Sequence, residues 1–331
     1  MARFTRALIC MTTLWLAQSM HIAHAEPIRL MTGGAAKLIY LPVMLADRLG
    51  YFREQGLDVR VLSSPAGIDT STELVAGAIQ GAVGYYDHTI GLQSRGLDVQ
   101  SVIVLGQSAG LIELASSKRT MRSMADAKGR KLGVTGFGSS TYYLTRYLAT
   151  RANVPADAYT AVPLATEAAF EQALTNGDVD AGMTEEPTAT RLLSRGAART
   201  LVDLRSPADT RAQLGGSYVG ACIYMRRDWI DAHPDDTARL VRAVLAALRF
   251  IQTHSEQEVE AAMPASLKGD DAAMYRRALT VMKPAFSPNG RMPADAPATV
   301  LSVIASVDAD VSRRHIDLAR TWTDRFVAQA Q

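Results

Sequence analysis

Short apolar runs alternate with longer segments of helical period along the chain from residue 28 onward. Ile28-Arg29-Leu30-Met31 predicts a strand that runs directly into the glycine-rich turn Thr32-Gly33-Gly34-Ala35-Ala36. A helical pattern follows over Leu38 to Leu49 and stops at Gly50, and Leu57-Asp58-Val59-Arg60-Val61 then alternates as a half-buried strand does. Further strands are predicted at Val99–Leu105, Leu111–Ser116, Lys131–Thr135 and Tyr218–Met225, with a helix over Tyr142 to Thr150. Strands interleaved with helices of this length predict an α/β fold with largely parallel sheets.

An internal echo suggests that the unit occurs twice. Leu74-Val75-Ala76-Gly77-Ala78-Ile79-Gln80-Gly81-Ala82-Val83 reads as a helix end, a glycine stop and a buried strand, and Leu174 to Met183 repeats the layout a hundred residues on. Gly77 falls against Gly177 and Ile79 against Val179, and a glycine suits the left-handed conformation that closes a helix. Two similarly wound lobes are expected, with chain crossings near residues 107–110 and 225–228. Residues 26–107 then begin the first lobe, 108–226 form the second, and 227–331 return to the first as helices, with Pro264, Pro284, Pro288 and Pro293 in the loops between them.

The N-terminus changes the picture of compartment and charge. Arg3 and Arg6 precede the mostly apolar stretch Ala7 to Ala17, and Ala23-His24-Ala25 supplies small residues for cleavage, so residues 1–25 read as a signal peptide and the protein as periplasmic. The chain has 35 Lys+Arg and 33 Asp+Glu; without the two leader arginines the mature chain is near neutral, which argues against a nucleic-acid partner. Cys222 is the one cysteine beyond the leader, so stability rests on burial and not on a disulfide.

In open α/β sheets ligands bind beyond the carboxyl ends of the strands, where helix N-termini point. Four segments fit. Gly136-Phe137-Gly138-Ser139-Ser140-Thr141 joins a strand to a helix, where glycines admit close approach and hydroxyls with free N–H groups suit an anion. The alternative is a plain helix cap by Ser139 or Ser140; as a dinucleotide fingerprint it fails, with Thr141 in place of the third glycine. The loop Thr32 to Tyr40 brings Lys37 and Tyr40. Tyr85-Tyr86-Asp87-His88-Thr89 offers one ring to a cleft and one to packing; Tyr86 is taken as the cleft member, with Asp87 either capping a helix or binding a ligand donor. Glu185-Glu186-Pro187 closes the set, with Tyr218 on the strand that follows. The two glutamates could serve as a base, but no nucleophile or metal ligand accompanies them. His88, His233, His254 and His315 lack metal-ligand spacing, and no nucleophile elbow or phosphate loop is present, so neither metal nor cofactor is expected.

Leu41-Pro42 with Ala46-Asp47-Arg48-Leu49-Gly50-Tyr51-Phe52-Arg53-Glu54-Gln55-Gly56-Leu57-Asp58-Val59 resembles the solute-binding proteins of nitrate/sulfonate/taurine ABC importers, including the thiamine pyrimidine-precursor-binding relatives. Met124 to Val134, Gly177-Asp178-Val179-Asp180-Ala181 and Asp228 to Pro234 extend the resemblance over the mature chain. It implies a type II Venus-flytrap: two α/β lobes, each a mostly parallel sheet flanked by helices, joined by a two-stranded hinge, acting as a monomer that delivers its solute to an ABC permease. The loops at Thr32–Tyr40, Gly138–Thr141 and Glu185–Pro187 would line the cleft. Sulfonate-type members hold their anion with the chemistry that Ser139-Ser140-Thr141 retains. The expected ligand is therefore a small anionic solute (sulfonate, carboxylate or heteroaromatic), although Asp87, Glu185 and Glu186 favour one that also carries amino or amide donors. The pyrimidine-synthesising relatives use a His/Cys-rich metal motif that is absent here, which implies a binding protein and not an enzyme. The alternatives are a periplasmic enzyme using Glu185 or Glu186, and a ligand-sensing subunit of a signalling system.

Overall fold

The computed structural model describes residues 26–65 and 67–330; the expected signal peptide lies outside them. Ten strands form in chain order: β1 (Ile28–Thr32), β2 (Val59–Ser63), β3 (Gly81–Tyr85), β4 (Val99–Val104), β5 (Leu111–Ser116), β6 (Lys131–Val134), β7 (Thr160–Pro163), β8 (Ala181–Glu185), β9 (Ala198–Leu204) and β10 (Ala221–Arg226). They make two five-stranded sheets of one topology, β2-β1-β3-β10-β4 and β7-β6-β8-β5-β9. In each, three neighbours run parallel and a fourth strand inserts antiparallel before the edge. That antiparallel strand is always the one that has just crossed from the other lobe. The fold is the two-lobed α/β architecture expected, with mixed sheets in which four of five strands share a direction.

The echo in the sequence is a symmetry of the fold. The helices Gly67–Val75 and Glu167–Asn176 lead into glycines of positive φ, Gly77 and Gly177, and then into β3 and β8, which hold the same place in their sheets. Residues a hundred apart therefore stand at equivalent points of the two lobes.

One boundary differs from expectation. Ala221–Arg226 was expected to end the second lobe, but Cys222 pairs with Gly84 of β3 and Val104 of β4, so the return crossing precedes Ala221 and does not fall near 225–228. The strand is buried on both faces, and such a run carries no sign of which sheet it will join. At the crossings the two chain segments lie side by side. Leu105 N–H donates to the Ala221 carbonyl at 2.9 Å, and Gly220 N–H to the Ser108 carbonyl at 3.1 Å. Gly220 has no room for a side chain, since a Cβ there would sit 2.7 Å from the Ser108 carbonyl oxygen. These paired segments are where the chain passes between the two sheets.

Burial in the second lobe encloses an unusual group. Glu113 lies on β5 on the same face as Leu111 and Ala115, and it is fully buried. Its Oε2 accepts a hydrogen bond from Thr145 Oγ1 at 2.8 Å, while Oε1 has no partner among the described residues. Burial pushes its pKa up to about 8, only partly offset by Thr145. The folded protein thus keeps this proton to higher pH than the unfolded chain does. Stability should fall as pH rises from about 5 to 8 and level off above, with a contribution on the order of 4 kcal/mol from this group. Melting temperatures of wild type and Glu113→Gln across that range check this. The variant should lose the decline, and parallel curves would contradict it.

Candidate functional site

Four loops, each at the carboxyl end of a strand, converge between the lobes. Those after β1 and β3 come from the first lobe, and those after β6 and β8 from the second. Lys37, Tyr40, Tyr85, His88, Ser140 and Glu185 are among the residues lining a cavity of about 20 Å³ there, with Thr135, Ser139 and Thr141 completing its polar wall. That is room for about one water molecule, so the lobes stand closed.

The closed form is fastened across the cleft by charged and hydrogen-bonded side chains. Lys37 Nζ lies 2.9 Å from Glu185 Oε1 and 3.7 Å from Glu167 Oε1, both on the second lobe, and only 5% of its side chain is exposed. Burial alone would lower the Lys37 pKa, but Glu185 and Glu167 outweigh it and hold it above the usual lysine value. Glu185 is pushed up by its own burial, against the pull of Lys37. Gly34 makes this placement possible. It adopts a φ of +114°, and a Cβ on it would fall 2.6 Å from Lys37 Cε, so the lysine stem folds over bare backbone. Beside it, Leu38 N–H donates to the Glu186 carbonyl at 2.9 Å.

Ser140 makes the second fastening. It opens the helix Ser140–Arg151, and its hydroxyl donates to Asp87 Oδ1 at 2.9 Å. Tyr218 Oη donates to the other Asp87 oxygen at 3.2 Å. Ser139 caps the helix, accepting from Tyr142 N–H, and Thr141 Oγ1 accepts from Thr135 N–H at 2.9 Å. Burial lowers the His88 pKa despite Asp87 nearby, so the imidazole is neutral at pH 7. Its Nδ1 pairs with Tyr224 Oη at 3.1 Å, and its buried Nε2 has no hydrogen-bond partner among the described residues. Tyr40 and Tyr85 are held neutral by burial.

Of the residues singled out from sequence, the structure brings Lys37, Tyr40, Ser139, Ser140, Thr141 and Glu185 together at the cavity. Asp87 and Tyr218 stand directly behind it, and Gly138 lines an adjoining groove. Two belong elsewhere. Tyr86 turns into the first lobe, where its hydroxyl meets Thr321 Oγ1 at 2.5 Å. Glu186 turns into the second lobe, where it pairs with Arg205 at 2.5 Å and accepts from both Thr190 donors. Tyr85 and His88 take their place in the cleft. The internal echo ties the two cases together without saying which member faces inward: Tyr85 and Glu185, a hundred residues apart, both line the cavity, while Tyr86 and Glu186 both turn away. Among the described residues no group of three or more His, Cys, Asp or Glu side chains is placed to hold a metal ion.

Residues 39–258 match the family described as NMT1/THI5 like. The chain belongs to that family. Among curated relatives, 4-amino-5-hydroxymethyl-2-methylpyrimidine phosphate synthase of Aspergillus parasiticus is 28% identical over 236 residues, covering 68% of this chain and 67% of the relative. The protein of that name in Schizosaccharomyces pombe is 27% identical, covering 66% and 64%. The chain thus spans about two thirds of the length of these relatives. A solved structure from Bordetella bronchiseptica RB50 superposes with a TM-score of 0.88 at 28% identity, covering 92% of this chain and 97% of that one. The alkanesulfonate-binding protein SsuA from Xanthomonas axonopodis pv. citri, bound to MOPS, gives 0.70 at 18% identity over 93% and 98%. The resemblance to this family is borne out, as is the periplasmic-binding-protein fold. The expectation that the chain is no enzyme is overturned, because the curated relatives carry the name of a synthase.

The two fastenings make a direct prediction. Lys37→Met leaves Glu185 buried, and the partly exposed Glu167 beside it, without their cation, a loss worth on the order of 3 kcal/mol in favour of the open form, where water reaches Glu185. Spin labels placed one on each lobe should report a longer mean distance in the variant. An unchanged distance distribution would contradict it.

Proposed function

We propose that this protein is the periplasmic solute-binding component of an ABC importer, closing its lobes over a small heteroaromatic solute that carries amino groups. The observation that supports this most is the composition of the closed cleft. Glu185 lines this space from the second lobe and Asp87 stands behind it on the first, with Tyr40, Tyr85 and neutral His88 on its wall. A bare oxyanion would meet the Glu185 carboxyl group in this space, with the Asp87 carboxylate behind its wall. Amino donors on a flat ring would satisfy Asp87 and Glu185, and Lys37 would answer an acceptor on the same ring. The anionic solute expected from the serine-rich helix start therefore gives way to an aminopyrimidine, the chemical class in the names of the curated relatives. Ser139 and Ser140 act here through the cap and through Asp87, not as an anion cradle. The leader-like N-terminus and the likeness in fold to import components support the location and the permease partner.

Calorimetry and thermal shift against 4-amino-5-hydroxymethyl-2-methylpyrimidine, an alkanesulfonate and nitrate test the reading on protein first stripped of ligand by unfolding and refolding. The pyrimidine should raise the melting temperature, by about 2.7 kcal/mol of stabilisation at a hundred times its Kd. Asp87→Asn should weaken its binding by roughly 1–3 kcal/mol. Binding of the sulfonate or nitrate alone would contradict the proposal.

The names of the relatives favour a second reading, in which the pyrimidine is made in this cleft with His88 at its wall. Mass spectrometry of the bound compound after incubation with candidate precursors tests it. A new pyrimidine, lost in His88→Asn, would establish it, and recovery of unchanged compounds would remove it.

A further inference from the structure

The end of the second lobe farthest from the cleft is basic. Leu111 of β5 stands opposite Glu185 and Leu204 at the cleft end of the sheet, whereas Ala115 meets Ala181 and Ser116 meets Ala198 at the other end. Leu132 of β6 also pairs with Ala181, so residues 117–130, which join β5 to β6, cover that far end. Residues 117–131 hold six Lys or Arg and one acid, Asp126, although the mature chain as a whole is near neutral. Asp126 is tied into the fold, its Oδ2 accepting from the Arg122 and Ser123 N–H groups at 2.8 and 3.0 Å. Asp180 likewise takes the Lys131 N–H at 3.0 Å and the Arg130 guanidinium at 3.2 Å. Arg199 of β9 donates to the Ser116 carbonyl at 3.0 Å and the Arg119 carbonyl at 2.5 Å, which pins the turn that presents Lys118 and Arg122. Lys118, Arg122, Lys128 and Lys131 are exposed, and their side chains make no ion pair or hydrogen bond among the described residues. The exposed Asp157 and Asp178 nearby offset only part of this charge. The large exposed apolar side chains of the described residues, Leu62, Val75, Phe137 and Val281, all lie elsewhere.

We infer that this end is a docking surface for anionic phospholipid headgroups, which holds the protein against a bilayer by charge. An interface between proteins has a desolvated centre rich in aromatic and apolar groups and depleted of lysine. Exposed lysines around no apolar centre suit a surface of diffuse negative charge instead, where each cation adds attraction without a fixed geometry. The cleft loops stand at the opposite ends of the same strands, so a protein docked in this way keeps its cleft clear of the lipid. The inference does not depend on which solute the cleft takes.

Co-sedimentation with vesicles tests it, using phosphatidylcholine alone or mixed with roughly three parts in ten phosphatidylglycerol. The protein should pellet with the anionic vesicles and stay in solution with the neutral ones, and raising the salt from about 50 mM to about 500 mM should release it. Lys118→Gln, Arg122→Gln, Lys128→Gln and Lys131→Gln combined should lower the partition at least about tenfold. These side chains are exposed and unpaired, so the variant should keep the wild-type melting temperature. A second variant, Arg48→Gln with Arg60→Gln, Arg313→Gln and Arg314→Gln, removes the same charge from exposed positions elsewhere and should bind as wild type does. An equal loss in both variants would reduce the effect to net charge and overturn the docking surface. Pelleting with neutral vesicles, or none with anionic ones, would also overturn it. Tighter binding to polyglutamate than to the anionic vesicles would assign the surface to an acidic protein and overturn the lipid proposal.

Discussion

The ion pair between Lys37 and Glu185 is the contact on which the closed form depends. It joins loops at equivalent ends of the two sheets, and both partners are almost fully buried. A lone charge at that depth is costly, so each group needs the other or needs water. Closing brings them together and opening hydrates both. The lobes are joined where the two crossing segments hydrogen-bond to each other and carry no side chain at Gly220. A solute that supplies donors to Glu185 and Asp87 competes with Lys37 and Ser140 for the same acceptors, which is how occupancy can be coupled to closure.

The two sheets explain why the chemistry meets at one place. Their shared topology puts the loops after β1 and β3 opposite the loops after β6 and β8. The lobes contribute unlike groups at like positions: Tyr85 faces the cavity where Glu185 does in the other lobe, and Lys37 reaches across to the glutamate. A duplicated frame thus encloses an asymmetric cleft. The neutral state of Tyr40, Tyr85 and His88 follows from burial and gives the cleft a wall of rings and uncharged hydrogen-bonding groups.

Much of this was legible in the sequence. Period and glycine stops gave the α/β class, and the repeat at Gly77 and Gly177 gave the paired lobes. The loop positions of Lys37, Ser140 and Glu185 followed from where strands end. Three features were not legible, each for a physical reason. The lobe that β10 joins is decided by pairing with residues more than a hundred positions away. Which of Tyr85 and Tyr86 faces the cleft, and which of Glu185 and Glu186, depends on the strand's orientation in its sheet, and a one-residue error reverses it. The role of Ser140 depended on its partner: a serine at a helix start can cradle an anion, but here its hydroxyl points its proton at Asp87. The absence of catalytic motifs was weak ground for excluding an enzyme, as the names of the curated relatives make plain.

Native mass spectrometry of protein purified without unfolding tests the central claim most directly. The account predicts a bound small molecule, released on denaturation, whose fragments contain an aminopyrimidine and no sulfonate. A bound sulfonate, or nitrate, would contradict the reading of the cleft from Asp87 and Glu185.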